Sequence, residues 1–305
     1  MTKYIKYSYF LLFLLFSSRI VIAQQSELKV LSYNALHGFS ADREIVNKYI
    51  NWLKKADPDL VLYQEMNGYS DEMMRNLSGI SGHKYYAIMN VENGYDVTHP
   101  LAISSEYPLE DVKMVLDNMW HGYIYAKVNG IHVFVTHLAP FTLKDRQRDL
   151  TKILTHARSL PRNEGAIIAG DFNSLSEQDS NKYDNKLLLS MRRIEGRLEP
   201  KSGTPIVKNR IIYRNNLDNG NIDYSVMRLL SDAGYSDSFY LKNTSFKHSV
   251  PTAANMKKSS KLRRIDYIWV NPVLAEKIVE ADIIHDDITG QISDHYPVFV
   301  RIQLK

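Results

Sequence analysis

The sequence has 305 residues, 24% of them charged and 44% hydrophobic, a composition that excludes a mainly disordered or fibrous chain. The formal net charge of +4 falls to about +1 without residues 1–23, so bulk charge gives no case for binding to nucleic acid or to an anionic membrane. There is no cysteine, which excludes disulfide bonds, thiolate metal sites and a cysteine nucleophile.

Residues 1–23 have the layout of a signal peptide. Lys3 and Lys6 precede an apolar run at residues 9–16, and the small residue Ala23 precedes Gln24. The apolar run is about half the ~20 residues that span a bilayer, which favours cleavage after Ala23 over the competing interpretation of an uncleaved anchor. We therefore expect a secreted or periplasmic protein of residues 24–305, with no membrane span after processing.

The first elements predict a βαβ unit at residues 28–65. An alternating apolar segment at 28–34 predicts a strand, and helical spacing of apolar residues follows it. Asp57-Pro58 ends that helix, and the apolar run at 59–64 predicts a second strand.

Short β-rich segments follow from residue 85 to about 136, and Asn129-Gly130 predicts a β-hairpin between the last two. The spacing of Thr142 and Asp145 is that of a capping box and predicts a helix that ends at Pro161. We expect the basic residues of this helix to form a solvated outer face.

A buried strand is predicted at residues 166–171, and the polar stretch at about 174–221 is expected to be a surface insertion. A helix containing Val226, Leu229 and Leu230 follows, and the last two predicted strands span residues 264–270 and 294–304. Because no repeat or linker interrupts residues 24–305, we expect a single mixed α/β domain in which helices cover sheets with antiparallel neighbours.

Polar side chains collect at the ends of these strands. Asn34, Glu65, His137 and Asp171 each close a predicted strand, and Asp294-His295 opens one. In a mixed sheet, the carboxyl ends of some strands lie beside the amino ends of antiparallel neighbours, so these groups could meet at one edge. Ligand sites favour that position.

Six short motifs occur in order along nearly the whole chain after residue 23. They are Tyr33-Asn34 with His37-Gly38, Gln64-Glu65, Thr136-His137-Leu138, Gly170-Asp171-Phe172-Asn173, Arg264-Ile265-Asp266-Tyr267-Ile268 and Ser293-Asp294-His295. The set resembles the endonuclease/exonuclease/phosphatase superfamily, which includes deoxyribonuclease I-like nucleases, abasic-site endonucleases, sphingomyelinases and inositol-polyphosphate phosphatases. The resemblance implies a four-layer α/β sandwich, with two mixed β-sheets packed together and flanked by helices.

Glu65 and Asn34 are candidate ligands of Mg²⁺ (or Mn²⁺), which accepts hard oxygen donors together with water and substrate phosphate. A carboxylate at the end of a buried strand, as at Glu65, is costly unless it is paired or metal-bound. For Asn34 a turn-forming role ahead of Gly38 is the alternative. The resemblance places Asp294 on the metal side of His295.

The resemblance also implies the catalytic roles. Asp171 would activate the attacking water, although the Gly-Asp-Phe-Asn motif is also typical of a turn, and Asn173 would hold that water or a phosphate oxygen. His137 and His295 would donate hydrogen bonds to the phosphoryl group, with Asp266 orienting His295. Whether Asp171 or a carboxylate-paired histidine accepts the proton stays open.

Some positions depart from the family pattern or have open roles. Leu36 stands where the abasic-site branch has an acidic residue, so a second metal ligand is absent there. His37 is either a substrate contact or part of the turn, and His99 and His121 are candidate contacts. The five other histidines are assigned to structure or surface: His83, His132, His156, His248 and His285.

The sequence thus predicts a secreted, divalent-metal-dependent phosphoric-ester hydrolase, either a phosphodiesterase (nuclease included) or a phosphatase, and we expect a monomer. Nucleic acid, a phospholipid head group and a small phosphoester are all open as substrates. The alternative is a secreted binding or adhesion protein with the same fold and no catalysis. A decayed site should have lost members of the set, yet all eight candidate residues are present.

Overall fold

The computed structural model describes residues 27–195, 207–208, 211–212, 216–256 and 261–304. The predicted signal peptide and part of the predicted insertion lie outside these residues. Among the helices of the described residues, none has the length and apolar character needed to cross a membrane.

Fourteen strands occur in the described residues. In chain order they are β1 (Glu27–Asn34), β2 (Leu60–Gln64), β3 (Tyr85–Ile88), β4 (Ala102–Ser105), β5 (Leu109–Val115), β6 (Tyr123–Val128), β7 (Ile131–His137), β8 (Ala166–Asp171), β9 (Val207–Lys208), β10 (Ile211–Ile212), β11 (Ser236–Asp237), β12 (Asp266–Val270), β13 (Ile278–Ile283) and β14 (Val298–Gln303).

The helices of the same residues are α1 (Leu36–Phe39), α2 (Arg43–Ala56), α3 (Asp71–Ile80), α4 (Leu143–Arg158), α5 (Asn185–Ile194), α6 (Ser225–Asp232), α7 (Ser238–Lys242), α8 (Pro272–Ala275) and α9 (Thr289–Ile292). Short 3₁₀ turns span Val91–Asn93, Glu177–Lys182 and Ala253–Asn255.

Two six-stranded mixed sheets form the centre of the fold. The first has the order β13-β14-β1-β2-β4-β3, and the second has the order β11-β12-β8-β7-β6-β5. Each sheet has one parallel pair, β1 with β2 and β7 with β8, and the other neighbours are antiparallel. The long helices α2 and α4 connect the two parallel pairs, so the predicted βαβ unit at residues 28–65 is confirmed and a second one follows it.

Capping side chains set the starts of both connecting helices. The Asp42 carboxylate accepts hydrogen bonds from the backbone N–H groups of Glu44 and Ile45 at the start of α2. The Thr142 hydroxyl accepts from the backbone N–H of Asp145 at the start of α4, as predicted. Such caps satisfy N–H groups that have no partner within the helix.

Three apolar layers hold the elements together. Between the sheets lies a core that includes Val30, Leu62, Val135 and Ile268. The outer face of the first sheet packs on α2 and α3, and the outer face of the second packs on α4 and α6. This is the predicted four-layer α/β sandwich, which is therefore confirmed.

The sequence patterns missed some elements. Strand β5 lies at a sheet edge and is largely exposed, so it lacks the apolar alternation that marks a strand. Strand β14 begins at Val298 rather than at residue 294, because Pro297 has no N–H to donate to a ladder. Helix α3 was not predicted either, although Ser70 caps it.

Two predictions of exposed polar segments were wrong in part. On α4, Arg146 is only 3% exposed and donates hydrogen bonds to the Ala139 carbonyl and the Asn216 side chain, so it does not belong to a solvated face. In the 174–221 segment, Asp179 is fully buried, and an ion pair with Arg264 at 2.9 Å compensates its charge. Arg264 also pairs with buried Asp237 at 2.5 Å, which neutralises charges that would otherwise be costly inside the protein.

The close approach of β7 and β8 requires glycine at residue 170. A Cβ atom there would lie 1.9 Å from the Thr136 carbonyl oxygen, and Gly170 has φ +142°. We expect Gly170→Ala to lower the free energy of unfolding by about 3 kcal/mol, because backbone atoms cannot move aside cheaply.

Gly130→Ala is the matched control, since Gly130 also has positive φ but has open space where a Cβ would stand. It should cost about 1 kcal/mol, from backbone strain alone. Urea unfolding of both variants measures the difference, and equal losses would show that the contact with Thr136 is not the cause.

Candidate active site

The topology brings the predicted site residues together at one edge of the two sheets. Asn34 and His137 end β1 and β7, and Asp171 ends β8 beside His137. Glu65 follows β2 directly. The antiparallel neighbour of β8 begins at Asp266, which is the register partner of Asp171. The predicted convergence of strand ends is therefore confirmed.

Asn34 links the two sheets through its side-chain amide. Its Nδ2 donates hydrogen bonds to Glu65 Oε1 and to Asp171 Oδ2, each at 3.1 Å. Its Oδ1 accepts from the backbone N–H of Leu36 at 3.0 Å. The side chain is 1% exposed, so all of these bonds lie out of bulk water.

The segment after β1 has an unusual backbone that serves Glu65. Residues 36–41 all have positive φ, and Glu65 itself has φ 59°. The N–H of His37 donates to Glu65 Oε2 at 3.1 Å, and the N–H of Gly38 donates to the Glu65 carbonyl at 2.6 Å. Positive φ costs free energy for residues other than glycine and is found at functional sites.

His295 contacts Asp266, the residue that the family resemblance assigns to orienting it. His295 Nδ1 lies 2.8 Å from Asp266 Oδ2, and its Nε2 lies 3.9 Å from Asp171 Oδ2 and 3.8 Å from Asp294 Oδ1. Burial alone would lower the pKa of His295, but these three carboxylates outweigh it and raise the pKa well above its ordinary value. His295 is therefore an imidazolium at neutral pH.

Asp171 is a buried acid among other acids. It is 2% exposed, and loss of hydration together with the charge of Asp266 raises its pKa to about 8, against the opposing effect of His295. One oxygen accepts from the backbone N–H of Asn173 at 2.8 Å, and Asn173 Nδ2 donates to the Leu138 carbonyl at 3.0 Å. A pKa near neutrality suits an acid–base group.

Glu65 differs from Asp171 in its charge state. Burial alone would raise the pKa of Glu65, but the positive charge of His295 and the hydrogen bonds from Asn34 and His37 contribute to lowering it. Glu65 is therefore the carboxylate that stays ionised, with one oxygen held by each of these two donors.

Four histidine rings line one side of the same cleft. The ring centroids of His37 and His99 are 5.4 Å apart, those of His99 and His121 4.9 Å, and those of His121 and His137 4.3 Å. Burial lowers the pKa of His99, and lowers those of His121 and His137 well below the ordinary value, with repulsion between neighbouring rings adding to the effect. These three rings are therefore neutral. His99 and His121, which were predicted as candidate contacts, both line the cleft.

The cleft has a volume of about 1050 Å³ and contains features that sequence reasoning missed. Trp120 and Phe141 pack at a ring separation of 5.7 Å on one wall. Arg263 lines the cleft, and its Nε has no hydrogen-bond partner among the described residues. The sequence feature that could have identified Arg263 as a site residue is its position just before the strand that supplies Asp266, next to Arg264.

Two groups in the described residues have the spacing of metal ligands. Asp171, Asp266 and His295 form one, and His37, Glu65 and His99 form the other, with ligand atoms within 4.8 Å of one another in each group. Asn34 turns its amide nitrogen rather than its oxygen toward Glu65, so metal binding through Oδ1 would need a half-turn of the amide. Asp294 is 39% exposed at the cleft, where a cation or substrate can reach it.

Buried carboxylates and a carboxylate-paired histidine thus lie at the shared edge of two packed mixed sheets, an arrangement suited to the hydrolysis of phosphoesters. The model of the Endonuclease/Exonuclease/phosphatase family matches residues 31–295, and the chain belongs to this family. Dependence on a divalent metal is a property of that family, and the buried acidic and histidine cluster fits it.

Solved structures of similar fold include proteins from Archaeoglobus fulgidus and from Neisseria. An AP endonuclease from Archaeoglobus fulgidus has 18% identity and a TM-score of 0.63, covering 91% of this chain and 100% of its own. The 3'-5' exonuclease NExo from Neisseria meningitidis has 18% identity and a TM-score of 0.64, covering 90% and 100%. A variant of the 3' phosphatase NExo from Neisseria, bound to a product DNA hairpin, has 18% identity and a TM-score of 0.63, covering 90% and 99%. No curated protein gives a significant match.

The raised pKa of Asp171 predicts a pH-dependent effect of Asp171→Asn on stability in EDTA. Between the ordinary value of 3.8 and about 8, the folded protein holds a proton on Asp171 that the unfolded chain releases. The contribution of Asp171 to the free energy of unfolding therefore falls as the pH rises through that window. Asparagine cannot ionise, so the melting temperature of the variant relative to the parent should rise over the same range.

Thermal melts at several pH values measure this difference. Asp117→Asn is the control, because the Asp117 side chain is 97% exposed and lies outside the cluster. A difference between Asp171→Asn and the parent that stays constant with pH would contradict the buried-acid assignment.

Proposed function

We propose that this protein is a divalent-metal-dependent phosphoester hydrolase, secreted and monomeric, that attacks its substrate with a water activated at Asp171 and His295. The observation that carries the proposal is the contact of Asp171 with both Asn34 and the His295–Asp266 pair at the cleft. That arrangement places an acid–base group (Asp171), a positively charged imidazolium (His295) and an ionised carboxylate (Glu65) within one site.

Asp171 and His295 divide the proton chemistry between them. Ionised Asp171 would accept the proton of the attacking water, and the positive charge of His295 stabilises that ionised form. Imidazolium His295 donates a hydrogen bond toward negative charge that develops on the phosphoryl oxygens. Asp266 keeps His295 charged and fixes its orientation.

His137 and Asn173 are suited to positioning the phosphoryl group. His137 Nε2 lies 3.4 Å from Asp171 Oδ2, and its Nδ1 has no hydrogen-bond partner among the described residues. A neutral imidazole can donate from one nitrogen only, so a hydrogen bond to substrate would fix its tautomer. The side chain of Asn173 is held beside the Asp171 carboxylate by its hydrogen bond to the Leu138 carbonyl.

Glu65 would be the main ligand of the divalent cation, with Asn34 and Asp294 as further ligands; Mg²⁺ or Mn²⁺ is the ion that this oxygen set favours. When bound, such an ion supplies Lewis-acid stabilisation of charge on a phosphoryl oxygen. Because Glu65 is ionised and held by hydrogen bonds to both oxygens, it is prepared to receive a cation.

The substrate class follows less directly from the site. The structural neighbours include an AP endonuclease and a DNA 3' phosphatase, so DNA is the first substrate to test. A phospholipid head group and a small phosphoester are the other substrates to test. The cleft combines the cation of Arg263, which can pair with a phosphate, with an aromatic wall at Trp120 and Phe141. The competing function, a binding protein without catalysis, is opposed by the complete set of site residues.

The proposal predicts hydrolysis of at least one phosphoester in a panel of abasic DNA, 3'-phosphorylated DNA, RNA, sphingomyelin, inositol phosphates and bis-p-nitrophenyl phosphate. EDTA should abolish the activity and Mg²⁺ or Mn²⁺ should restore it. Glu65→Gln should raise the metal concentration needed. Asp171→Asn and His295→Ala should each lower turnover by roughly 10²- to 10⁴-fold.

The double variant should lose far less than the product of the two single losses, because both residues act on one step. Single-turnover rates measure these effects, and Asp117→Asn and His156→Gln serve as controls outside the cleft. Activity that survives exhaustive chelation would remove the metal mechanism. A parent protein that binds a panel member but hydrolyses none would favour the binding-protein alternative.

Secretion is the remaining part of the proposal, and it rests on the sequence at residues 1–23. The exported protein should begin at Gln24. N-terminal sequencing of the protein recovered outside the cytoplasm tests this, and recovery of an intact Met1 would contradict it.

A further inference from the structure

Two histidines flank Glu65 at the mouth of the cleft, outside the groups assigned to proton chemistry. His37 Nδ1 lies 3.7 Å from Glu65 Oε2, and the His37 and His99 rings are 5.4 Å apart. The candidate ligand atoms of all three residues lie within 4.8 Å of one another. They come from three separate segments: the left-handed turn α1, the end of β2 and the loop ahead of β4.

The donor set differs from the one that Mg²⁺ needs. Mg²⁺ is bound mainly by oxygen atoms, and histidine is not among its usual ligands. Two imidazoles and one carboxylate are instead the protein ligands of open zinc sites and of other first-row transition metals. Three protein ligands leave coordination positions for water or substrate.

The surroundings of His99 fit a metal ligand. His99 Nδ1 lies 3.0 Å from the Thr98 hydroxyl, which leaves Nε2 as the nitrogen that can bind a cation. A second nitrogen that contacts an oxygen is the usual arrangement of a metal-binding histidine.

A separate observation also indicates a ligand in this part of the cleft. His121 packs against His99 and is only 1% exposed. Its Nδ1 contacts the His137 carbonyl, but its Nε2 is buried with no hydrogen-bond partner among the described residues. A buried polar nitrogen without a partner costs free energy unless something bound in the cleft meets it.

We propose that His37, Glu65 and His99 form a two-histidine, one-carboxylate site that binds a transition-metal dication of the zinc type in preference to Mg²⁺. The cation would be the one that serves hydrolysis at Glu65, and in that respect the inference rests on the proposed function. His37 and His99 then determine which metal the enzyme selects. Because zinc-type ions bind imidazole strongly, loss of both rings should remove that selectivity and leave the oxygen ligands in place.

The test uses Co²⁺ as a spectroscopic probe of the whole protein. Nitrogen-coordinated Co²⁺ with fewer than six ligands absorbs visible light much more strongly than Co²⁺ surrounded by six oxygens. The parent should give the strong spectrum, and Zn²⁺ should displace Co²⁺ at far lower concentration than Mg²⁺ does. The variant His37→Ala/His99→Ala should lose the strong spectrum and bind Zn²⁺ at least about 100-fold more weakly. A loss of that size exceeds the usual effect on metal affinity of removing a residue that only hydrogen-bonds a metal ligand.

Calorimetry should show that Mg²⁺ binding by the double variant is unchanged. His285→Gln is the matched control, because His285 and His248 form another histidine pair, with ring centroids 4.6 Å apart, outside the cleft lining. That variant should keep the strong Co²⁺ spectrum. Thermal melts in EDTA establish that each variant is folded, and the spectrum of the parent protein tests the site even if a variant does not fold.

An oxygen-only Co²⁺ spectrum in the parent, or Zn²⁺ binding by the folded double variant equal to that of the parent, would overturn the inference. The two proposals fail separately. Nitrogen-coordinated Co²⁺ in a protein that hydrolyses no phosphoester with any cation supports this site and contradicts the proposed function. Hydrolysis with Mg²⁺ together with an oxygen-only Co²⁺ spectrum supports the function and contradicts this site.

Discussion

The repulsion among four carboxylates at one sheet edge is the constraint on which the rest of the site depends. The carboxylates of Asp171, Asp266 and Asp294 lie close enough to His295 to raise its pKa. Glu65 lies close enough for His295 to lower its pKa. The amide of Asn34 and the imidazolium of His295 are the hydrogen-bond donors that allow these acids to lie so close together. Burial and the charge of Asp266 raise the pKa of Asp171, whereas the charge of His295 and the hydrogen bonds from Asn34 and His37 help to lower that of Glu65.

Backbone geometry supports this arrangement from both sheets. Ser293 donates a hydrogen bond to the Asn34 carbonyl at 2.8 Å and accepts one from the backbone N–H of His295, which ties the His295 motif to β1. On the other side of Glu65, the left-handed residues 36–41 direct the N–H of His37 at its carboxylate. The strain of these residues is balanced by contacts of the core, including Phe39, which stacks on Tyr49 at 4.1 Å.

Much of the fold could be predicted because its central strands are buried and apolar. The βαβ unit, the hairpin at Asn129-Gly130 and the Thr142 cap each have a local pattern whose cause is local. The convergence of Asn34, Glu65, His137, Asp171 and Asp266 was also predictable, because strand ends of mixed sheets share an edge. Edge strand β5 was not, because its mostly exposed side chains carry no burial pattern.

Features that depend on distant partners could not be read from local sequence. Asp179 looks like an ordinary polar residue of a surface segment until Arg264, 85 positions later, is placed beside it. Arg146 has the spacing of an exposed helix residue, yet its partner Asn216 lies 70 positions away. The histidine row is a further case, because His37, His99, His121 and His137 belong to separate segments whose proximity only the fold creates.

The ion pairs of Arg264 have a consequence for how this enzyme can be re-engineered. They fasten Asp179 to the segment that leads into β12, so the chain leaves the core at a fixed anchor eight residues after Asp171. The ion pair with Asp179 therefore holds the Glu177–Lys182 turn, to which Asp179 belongs, beside Arg264. Foreign loops grafted downstream of that anchor would reshape the rim near Leu187 and Met191, in a cavity of about 340 Å³ that shares Asn173 and Arg263 with the main cleft.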